Sequence, residues 1–181
     1  MINAIGDRSA YAQGLVGQGN RPNPITQAHT LGETSARLYL LAQAGPTGEP
    51  VLVGLLKVGT KQLFHFDAHG RTRELANQPC VLDFYIHEQY QRGGFGKVLF
   101  GAMLAHEGVQ PERFAYDRPS PKLIGFLRKH YGLAEFVPQQ NKFVIFDQFF
   151  SSKPAPPSSM YDSTFDRPLT ARNHSQPQRM R

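Results

Sequence analysis

Residues 91–96, QRGGFG, form a glycine-rich segment with Arg92 before the first glycine and Lys97 after the last. The segment follows an apolar run and precedes a helical pattern that starts near Gly96. At such a junction, backbone N–H groups and the helix dipole favour an anion, so a phosphorylated ligand is expected here. The alternative is a connector without a ligand, but three glycines and two basic residues exceed what a turn requires.

Two common phosphate-binding motifs do not fit this segment. A Walker loop requires glycine at Gln91 and a hydroxyl residue at Val98, and a dinucleotide-binding fingerprint requires glycine at Leu99. What remains is the pattern Gln-x-x-Gly-x-Gly directly after a strand.

No metal site is predicted. His87 and Glu88 begin a zinc-protease pattern, but Gln91 occupies the position of the second histidine. The single cysteine, Cys80, can supply neither an internal disulfide nor a cysteine-rich metal site.

The composition indicates one soluble, intracellular domain. The chain has 181 residues, of which 40% are hydrophobic, and no apolar run is long enough for a secretory signal or a membrane span. The net charge of +6 favours an acidic partner. Residues 151–181 hold five Lys and Arg against two Asp, and five of the 14 prolines, so they are expected to form a basic, disordered tail.

The first half of the chain predicts strands. Residues 1–24 show little periodicity and are expected to be loosely structured, with 1–17 as a flexible lead-in to a domain over 18–150. Short apolar runs at 37–41 and 51–58 predict a hairpin, 63–66 a third strand, and 80–86 a buried central strand.

The second half alternates helices with strands. Residues 96–108 predict a helix with Leu99, Ala102, Met103 and His106 on its inner face. Residues 114–117 predict a short strand, Ser120 the N-cap of a second helix that stops at Gly132, and 143–150 a last strand. The order predicts an α/β fold with a central mixed, mostly antiparallel sheet flanked by helices.

Several stretches together resemble the α-tubulin N-acetyltransferase family of the GNAT superfamily, whose acetyl-CoA loop the Gln-x-x-Gly-x-Gly pattern also resembles. The resemblance covers roughly residues 18–150. The segments that carry it are PIT at 24–26, GLLKVG at 54–59, KQLF at 61–64, PCVLDFYIHE at 79–88, DRPS at 117–120, KHY at 129–131, VPQ at 137–139 and FVIF at 143–146.

The resemblance implies a GNAT fold, acetyl-CoA as the donor and a lysine in the lumenal loop of α-tubulin as the acceptor. By similarity, Cys80 and Asp117 are the cysteine and aspartate implicated in catalysis. An amine of pKa about 10.4 must lose a proton before it attacks a thioester, and either residue could accept it. Packing for Cys80 and helix capping for Asp117 are the alternatives. Gln18 fits the family's catalytic glutamine if one residue is inserted, because Gly19 occupies the ungapped position.

The family's acetyl-CoA segments match two stretches here, one at 84–97 and one at 120–129. A strand that splays from its neighbour can pair with the pantetheine amides, and the loop after it meets the pyrophosphate. Lys122 and Lys129 could reach the phosphates or form a solvated helix face. The expected cofactor-binding residues are Phe84, Tyr85, Ile86, His87, Gln91, Arg92, Gly93, Gly94, Phe95, Gly96, Lys97, Ser120, Lys122 and Lys129.

Four residues fall in the family's acceptor-side region: Lys57, Lys61, Phe64 and His65. An ordinary strand hairpin would carry them too, so both interpretations remain open.

The expected function is acetylation of α-tubulin on microtubules, by direct amine attack in a ternary complex rather than through an acetylated Cys80. The expected protein is a monomer of the cytoplasm and cytoskeleton, including the axoneme, that binds neither nucleic acid nor membrane. The alternatives are acetylation of another protein lysine or a small amine, or an idle microtubule-binding protein.

Overall fold

The structure, a computed structural model, describes residues 1–32 and 34–151. Its five strands form one sheet in the order β1-β2-β3-β4-β5. The strands are β1 (Arg37–Ala44), β2 (Pro50–Phe66), β3 (Thr72–Ile86), β4 (Ala115–Asp117) and β5 (Phe143–Val144). β3 and β4 run parallel, and the other three pairings are antiparallel. The predicted mixed, mostly antiparallel sheet with a central strand at 80–86 is confirmed.

Five α-helices accompany this sheet in the described residues: α1 (Ile2–Ala12), α2 (Ala28–Leu31), α3 (Phe95–Glu107), α4 (Pro121–Tyr131) and α5 (Gln148–Ser151). α3 forms the crossover between the parallel strands β3 and β4. The predicted ends of the two main helices are confirmed: α3 stops at Gly108 and α4 at Gly132, both in the left-handed region. None of the described helices is long and apolar enough to cross a membrane.

The predicted second and third strands are one strand. β2 continues from Pro50 to Phe66, and the turn that begins at Asp67 leads into β3 at Thr72. The residues between the two apolar runs are exposed from Thr60 to Gln62. They stay extended because β3 pairs with β2 along most of its length, which local apolar patterning does not reveal.

The N-terminus is a helix rather than the loosely structured segment expected over residues 1–24. α1 packs on one face of the sheet, where Ile5 contacts the cluster formed with Leu55 and Tyr85. A Cβ on Gly6 would lie 2.1 Å from the carbonyl oxygen of Thr26, so glycine permits this close approach. The buried residues of α1 are mostly small, and a stripe of small residues gives a weak periodic signal.

α3 and α4 cover the other face of the sheet. Leu99, Phe100 and Met103 are buried there, whereas Ala102 and His106, expected on the inner face, are exposed. The ring of Phe100 meets Phe84 of β3 edge-on, with centroids 5.7 Å apart. The buried face of α3 therefore includes Phe100 and leaves out Ala102 and His106.

The end of the domain also differs from the prediction. β5 covers only Phe143–Val144, and α5 follows in place of the rest of the strand predicted at 143–150. The predicted tail lies outside the described residues, apart from its first residue, Ser151.

Candidate active site

β3 and β4 separate soon after they meet. Their parallel ladder contains only the pairs Cys80 with Ala115 and Val81 with Tyr116. β4 then ends at Asp117, while β3 continues to Ile86. Beyond these two pairs, β4 no longer covers the edge of β3 that it faced. The backbone N–H and C=O groups of β3 at this edge can pair with an extended ligand. β3 and β4 therefore splay apart beyond Val81 and Tyr116.

The open edge of β3 borders a narrow crevice. It is lined by Gln13 directly after α1, by residues 81–84 of β3, by residues 117–120 at and after the end of β4, and by Leu123 of α4. The Ser120 hydroxyl accepts a hydrogen bond from the Leu123 N–H (3.2 Å), so Ser120 caps α4 as predicted and lies in the crevice as well. Lys122 and Lys129 lie exposed on α4.

The glycine-rich loop connects the end of β3 with the start of α3. The Gln91 side chain donates to the Ile86 carbonyl oxygen (2.8 Å), which folds the loop back onto the strand. Gly94, at φ 85°, precedes the first residue of α3. Because the N-terminus of α3 opens toward this loop, the loop presents backbone N–H groups and a positive helix end to an anion.

Not all predicted cofactor residues direct their side chains toward the crevice. Tyr85 packs beneath α1 and donates to Glu88 (2.8 Å), and the Arg8 guanidinium contacts His87 Nε2 at 3.0 Å. Phe84 lines the crevice, whereas Tyr85 and His87 engage the opposite side of β3. Tyr85 and His87 could therefore contact a ligand in the crevice through their backbone atoms only.

A cavity of about 350 Å³ lies beside the crevice. Leu82, Asp117 and Arg118 line both spaces, so Asp117 lies at their boundary. Arg118 Nε donates to Asp117 Oδ1 (2.9 Å) and Nη2 donates to Oδ2 (3.3 Å). This pair raises the pKa of the Arg118 guanidinium. Arg118 therefore fixes the orientation of the Asp117 carboxylate, and Asp117 lines both the cavity and the crevice.

Cys80 is buried and lies on the same face of the sheet as Asp117. Asp117 follows the ladder partner of Cys80, Ala115, by two residues, and alternate strand residues share a face. The Cys80 thiol donates to the Gln78 carbonyl oxygen (3.2 Å), and burial raises its pKa to about 12. Cys80 lines neither the cavity nor the crevice. At neutral pH the thiol is uncharged and is therefore a poor base and a poor nucleophile.

Two basic residues of β2, both predicted on the acceptor side, line the cavity. Lys57 is buried and its ammonium donates to the Ile25 carbonyl oxygen (2.9 Å); burial lowers its pKa. Lys61 is exposed. Phe64 is also exposed, whereas His65 is buried against Phe150 with ring centroids 4.7 Å apart. Of the four acceptor-side residues, Lys61 and Phe64 are therefore exposed, whereas Lys57 and His65 are buried.

Two functional candidates were missed by the sequence analysis. Gln13, at the crevice, and Asp83, buried in β3, are joined by a hydrogen bond of 2.8 Å. Gln18 lies instead on an exposed 3-10 helix (Gln18–Asn20) and lines neither space. Asp83 could have been found in the sequence, because it is a carboxylate within the apolar run 80–86. A charged group in a buried strand needs hydrogen-bond or ionic partners, so its presence there indicates a special role.

No group of three or more His, Cys, Asp and Glu side chains within the described residues is arranged to hold a metal ion.

The sequence profile of the family described as "GNAT acetyltransferase, Mec-17" matches residues 1–178. The chain belongs to this family. The Mec-17 family assignment agrees with the splayed strands, the glycine-rich loop and the mixed sheet, and it confirms the GNAT fold expected from the sequence.

Curated relatives of this Mec-17 family chain carry the name alpha-tubulin N-acetyltransferase. The Anopheles gambiae protein is 48% identical over 153 residues, which cover 84% of this chain and 30% of that protein. The Aedes aegypti protein is 46% identical, over 84% of this chain and 53% of that one. The Tetrahymena thermophila protein is 44% identical, over 98% and 40% respectively. The chain thus spans about a third to a half of these relatives.

Proposed function

We propose that this chain transfers the acetyl group of acetyl-CoA to a lysine side chain in the lumenal loop of α-tubulin on microtubules. The names of its relatives support tubulin as the substrate. The observation that carries the chemistry is the position of Asp117, whose carboxylate borders both the cavity and the crevice at the splayed strands.

The residues at the crevice fit acetyl-CoA. The open edge of β3 from Leu82 to Ile86 offers backbone groups to the pantetheine amides, and the loop over 91–96 offers N–H groups to the pyrophosphate. Lys122 and Lys129 extend the positive surface along α4. When bound, acetyl-CoA supplies an acetyl group as a thioester, from which an uncharged amine can displace the thiol.

Asp117 is the proposed base. A lysine amine with an ordinary pKa of about 10.4 enters the site mostly protonated, so a group at the site must take its proton before or during attack. Both oxygens of Asp117 already accept from Arg118, which holds the carboxylate in one orientation. Cys80 is the weaker candidate, because a thiol with a pKa of about 12 would need another base before it could accept a proton.

We assign the family's catalytic glutamine to Gln13 rather than to Gln18. Gln13 lines the crevice together with Asp117, whereas Gln18 is exposed on its own short helix. The remaining role of Cys80 in this proposal is packing, against Leu63, Ala115 and Ile145.

The charge of the chain suits this substrate. A net charge of +6 favours approach to the carboxylate-rich surface of tubulin, and such attraction weakens as salt screens it. Lys61 lines the cavity, and Phe64, three residues further along β2, is exposed; both suit contact with a protein acceptor. We propose action as a monomer on cytoplasmic microtubules, including those of axonemes, without nucleic acid or membrane as partners.

The test is transfer of labelled acetyl from acetyl-CoA to polymerised tubulin, beside other lysine-containing proteins and small amines. The proposal expects label on α-tubulin that exceeds label on the other acceptors. Label mainly on another protein or amine would show that α-tubulin is not the preferred acceptor, while the proposed transfer from acetyl-CoA to an amine would stand. Microtubule binding without any transfer would instead show an idle member of the family.

A further inference from the structure

Asp83 is a buried carboxylate that accepts three side-chain hydrogen bonds. Ser9 Oγ and Gln13 Nε2 each donate to Oδ1 (2.8 Å), and Thr26 Oγ1 donates to Oδ2 (2.7 Å). The donors come from α1, from the residue that follows it and from the segment before α2, while Asp83 belongs to the central strand. Such charge-assisted bonds are among the stronger ones in proteins. Asp83 therefore fastens the N-terminal part of the chain to the sheet beside the crevice.

A local irregularity of β3 accompanies this position. The residue pairs Lys57 with Asp83 and Val58 with Val81 leave Leu82 as one extra residue in β3. A bulge of this kind re-aims neighbouring side chains. Leu82 lines the cavity and the crevice, and the adjacent Asp83 carboxylate contacts α1.

The same contacts determine which way the Gln13 amide faces. Its nitrogen donates to Asp83 Oδ1 and also to Ser9 Oγ (2.8 Å), which uses both amide N–H groups. An ionised carboxylate only accepts hydrogen bonds, so the opposite amide orientation would set oxygen against oxygen. Asp83 thus holds the nitrogen of Gln13 and leaves Oε1 free for another donor.

Gln13 Oε1 accepts no hydrogen bond from residues 1–32 and 34–151. It is also not one of the fully buried polar atoms that lack a partner there, so it is not sealed from solvent. Gln13 lines the crevice together with Asp117. An N–H donor in the crevice would therefore meet an acceptor whose orientation is already set. A protonated amine is the strongest such donor, and it is the form in which a lysine arrives.

We propose that Asp83 is a positioning residue: it holds the amide of Gln13 so that Oε1 accepts a hydrogen bond from the ammonium group of the acceptor lysine. The inference rests on the proposed lysine acetylation. Gln13 orients the amine near Asp117, and Asp83 acts only through Gln13.

The first test is a double-mutant cycle with Asp83→Asn and Gln13→Met, using a lysine peptide as acceptor. The first change replaces one carboxylate oxygen with an amide nitrogen, and the second keeps a side chain of similar length but removes its amide. Each single change is expected to raise the KM for the peptide about tenfold, the value of one hydrogen bond to a charged group. The double variant is expected to show no further rise, and the KM for acetyl-CoA is expected to stay within about twofold.

Thr26→Val is the matched control, because it removes the donor to the other oxygen of Asp83 and leaves Gln13 in place. It is expected to lower Tm while the peptide KM stays within about twofold. Hydrogen exchange of the Gln13 side-chain amide protons reports how firmly this amide is held, and the measurement does not require catalysis. In NMR spectra of the free protein they should resist hydrogen exchange in the wild type and in Thr26→Val, and exchange quickly in Asp83→Asn.

If Asp83→Asn does not fold, Ser9→Ala tests the same point, since it removes one of the two acceptors of the Gln13 amide; the peptide KM should rise about threefold. Additive losses in the double-mutant cycle, or an effect confined to the KM for acetyl-CoA, would overturn the positioning role. A wild-type protein that acetylates no lysine would defeat the proposed function itself. In that case the amide exchange still reports whether Asp83 holds Gln13.

Discussion

Asp117 and Arg118 are adjacent in sequence, and their side chains form a two-point ion pair at the boundary between the cavity and the crevice. The two contacts measure 2.9 and 3.3 Å, and Arg118 adopts a positive φ of 43°. This conformation is unusual for a residue other than glycine. The arrangement fixes the orientation of the carboxylate that we propose as the base.

Asp117→Asn is expected to lower kcat by at least about a hundredfold, because a positioned base contributes on that scale and an amide cannot accept the proton. Acetyl-CoA affinity is expected to stay nearly unchanged. The measurement is steady-state transfer to a lysine peptide together with calorimetric binding of acetyl-CoA. Asp7→Asn on α1 is the matched control and should behave as the wild type. Turnover that survives in Asp117→Asn would remove this residue from the mechanism.

Cys80→Ala is expected to keep kcat within about tenfold of the wild type and to lower the free energy of unfolding by about 1 kcal/mol through lost packing. The thiol is buried and uncharged at neutral pH, because its pKa is raised to about 12. A thiol reagent should therefore modify unfolded protein at pH 8 much faster than native protein. A loss of kcat as large as that of Asp117→Asn would assign catalysis to Cys80 instead.

The raised pKa of Cys80 also predicts a pH dependence of stability. The thiol ionises more readily in the unfolded chain, so its contribution is complete below about pH 9 and is lost as pH rises toward 12. Urea unfolding of the wild type at pH 8 and pH 10 should show this loss. Cys80→Ala should show a smaller loss between the same pH values, and an equal loss would assign the effect to other groups.

Gly6→Ala is expected to destabilise the protein by about 1–3 kcal/mol, because the added Cβ would lie 2.1 Å from the Thr26 carbonyl oxygen. Gly101→Ala is the matched control, since Gly101 is also in a helix and nothing lies within 4 Å of its Cβ position. That change should stabilise the protein by about 0.5–1 kcal/mol. Thermal unfolding of both variants measures the contrast. Equal effects would show that α1 does not depend on this close approach.

His65→Phe is expected to make the stability of the protein less sensitive to acid. His65 is buried against Phe150, its Nδ1 has no hydrogen-bond partner among the described residues, and burial lowers its pKa despite the charges of Asp147 and Asp67. The unfolded chain therefore binds a proton more readily, so stability falls as pH drops below about 6.5. Urea unfolding at pH 5.5 and pH 7.5 should show a smaller difference for His65→Phe than for the wild type. The same change at the exposed His69 should leave that difference unchanged.

Several features of the site follow from local sequence. Ser120 and Pro121 begin a helix because a hydroxyl caps free N–H groups and proline suits the first turn, and Gly132 ends it at a positive φ. The glycine-rich loop lies between a strand and a helix, as its pattern predicts. The family resemblance, which rests on short segments such as DRPS at 117–120, predicts a catalytic role for Asp117, and the structure shows that this residue lines both the cavity and the crevice.

The elements that were predictable from the chain alone depend on near neighbours: the central strand, the ends of the two main helices and the glycine-rich loop, together with the family. Three other features emerged from the folded molecule: residues 2–12 form a helix on the sheet, Leu82 is an extra residue in β3, and Gln13 rather than Gln18 lies at the crevice. These features depend on contacts between residues some 70 positions apart, such as Ser9 and Gln13 with Asp83. Periodicity and propensity describe neighbours along the chain, whereas a buried carboxylate selects its partners in space.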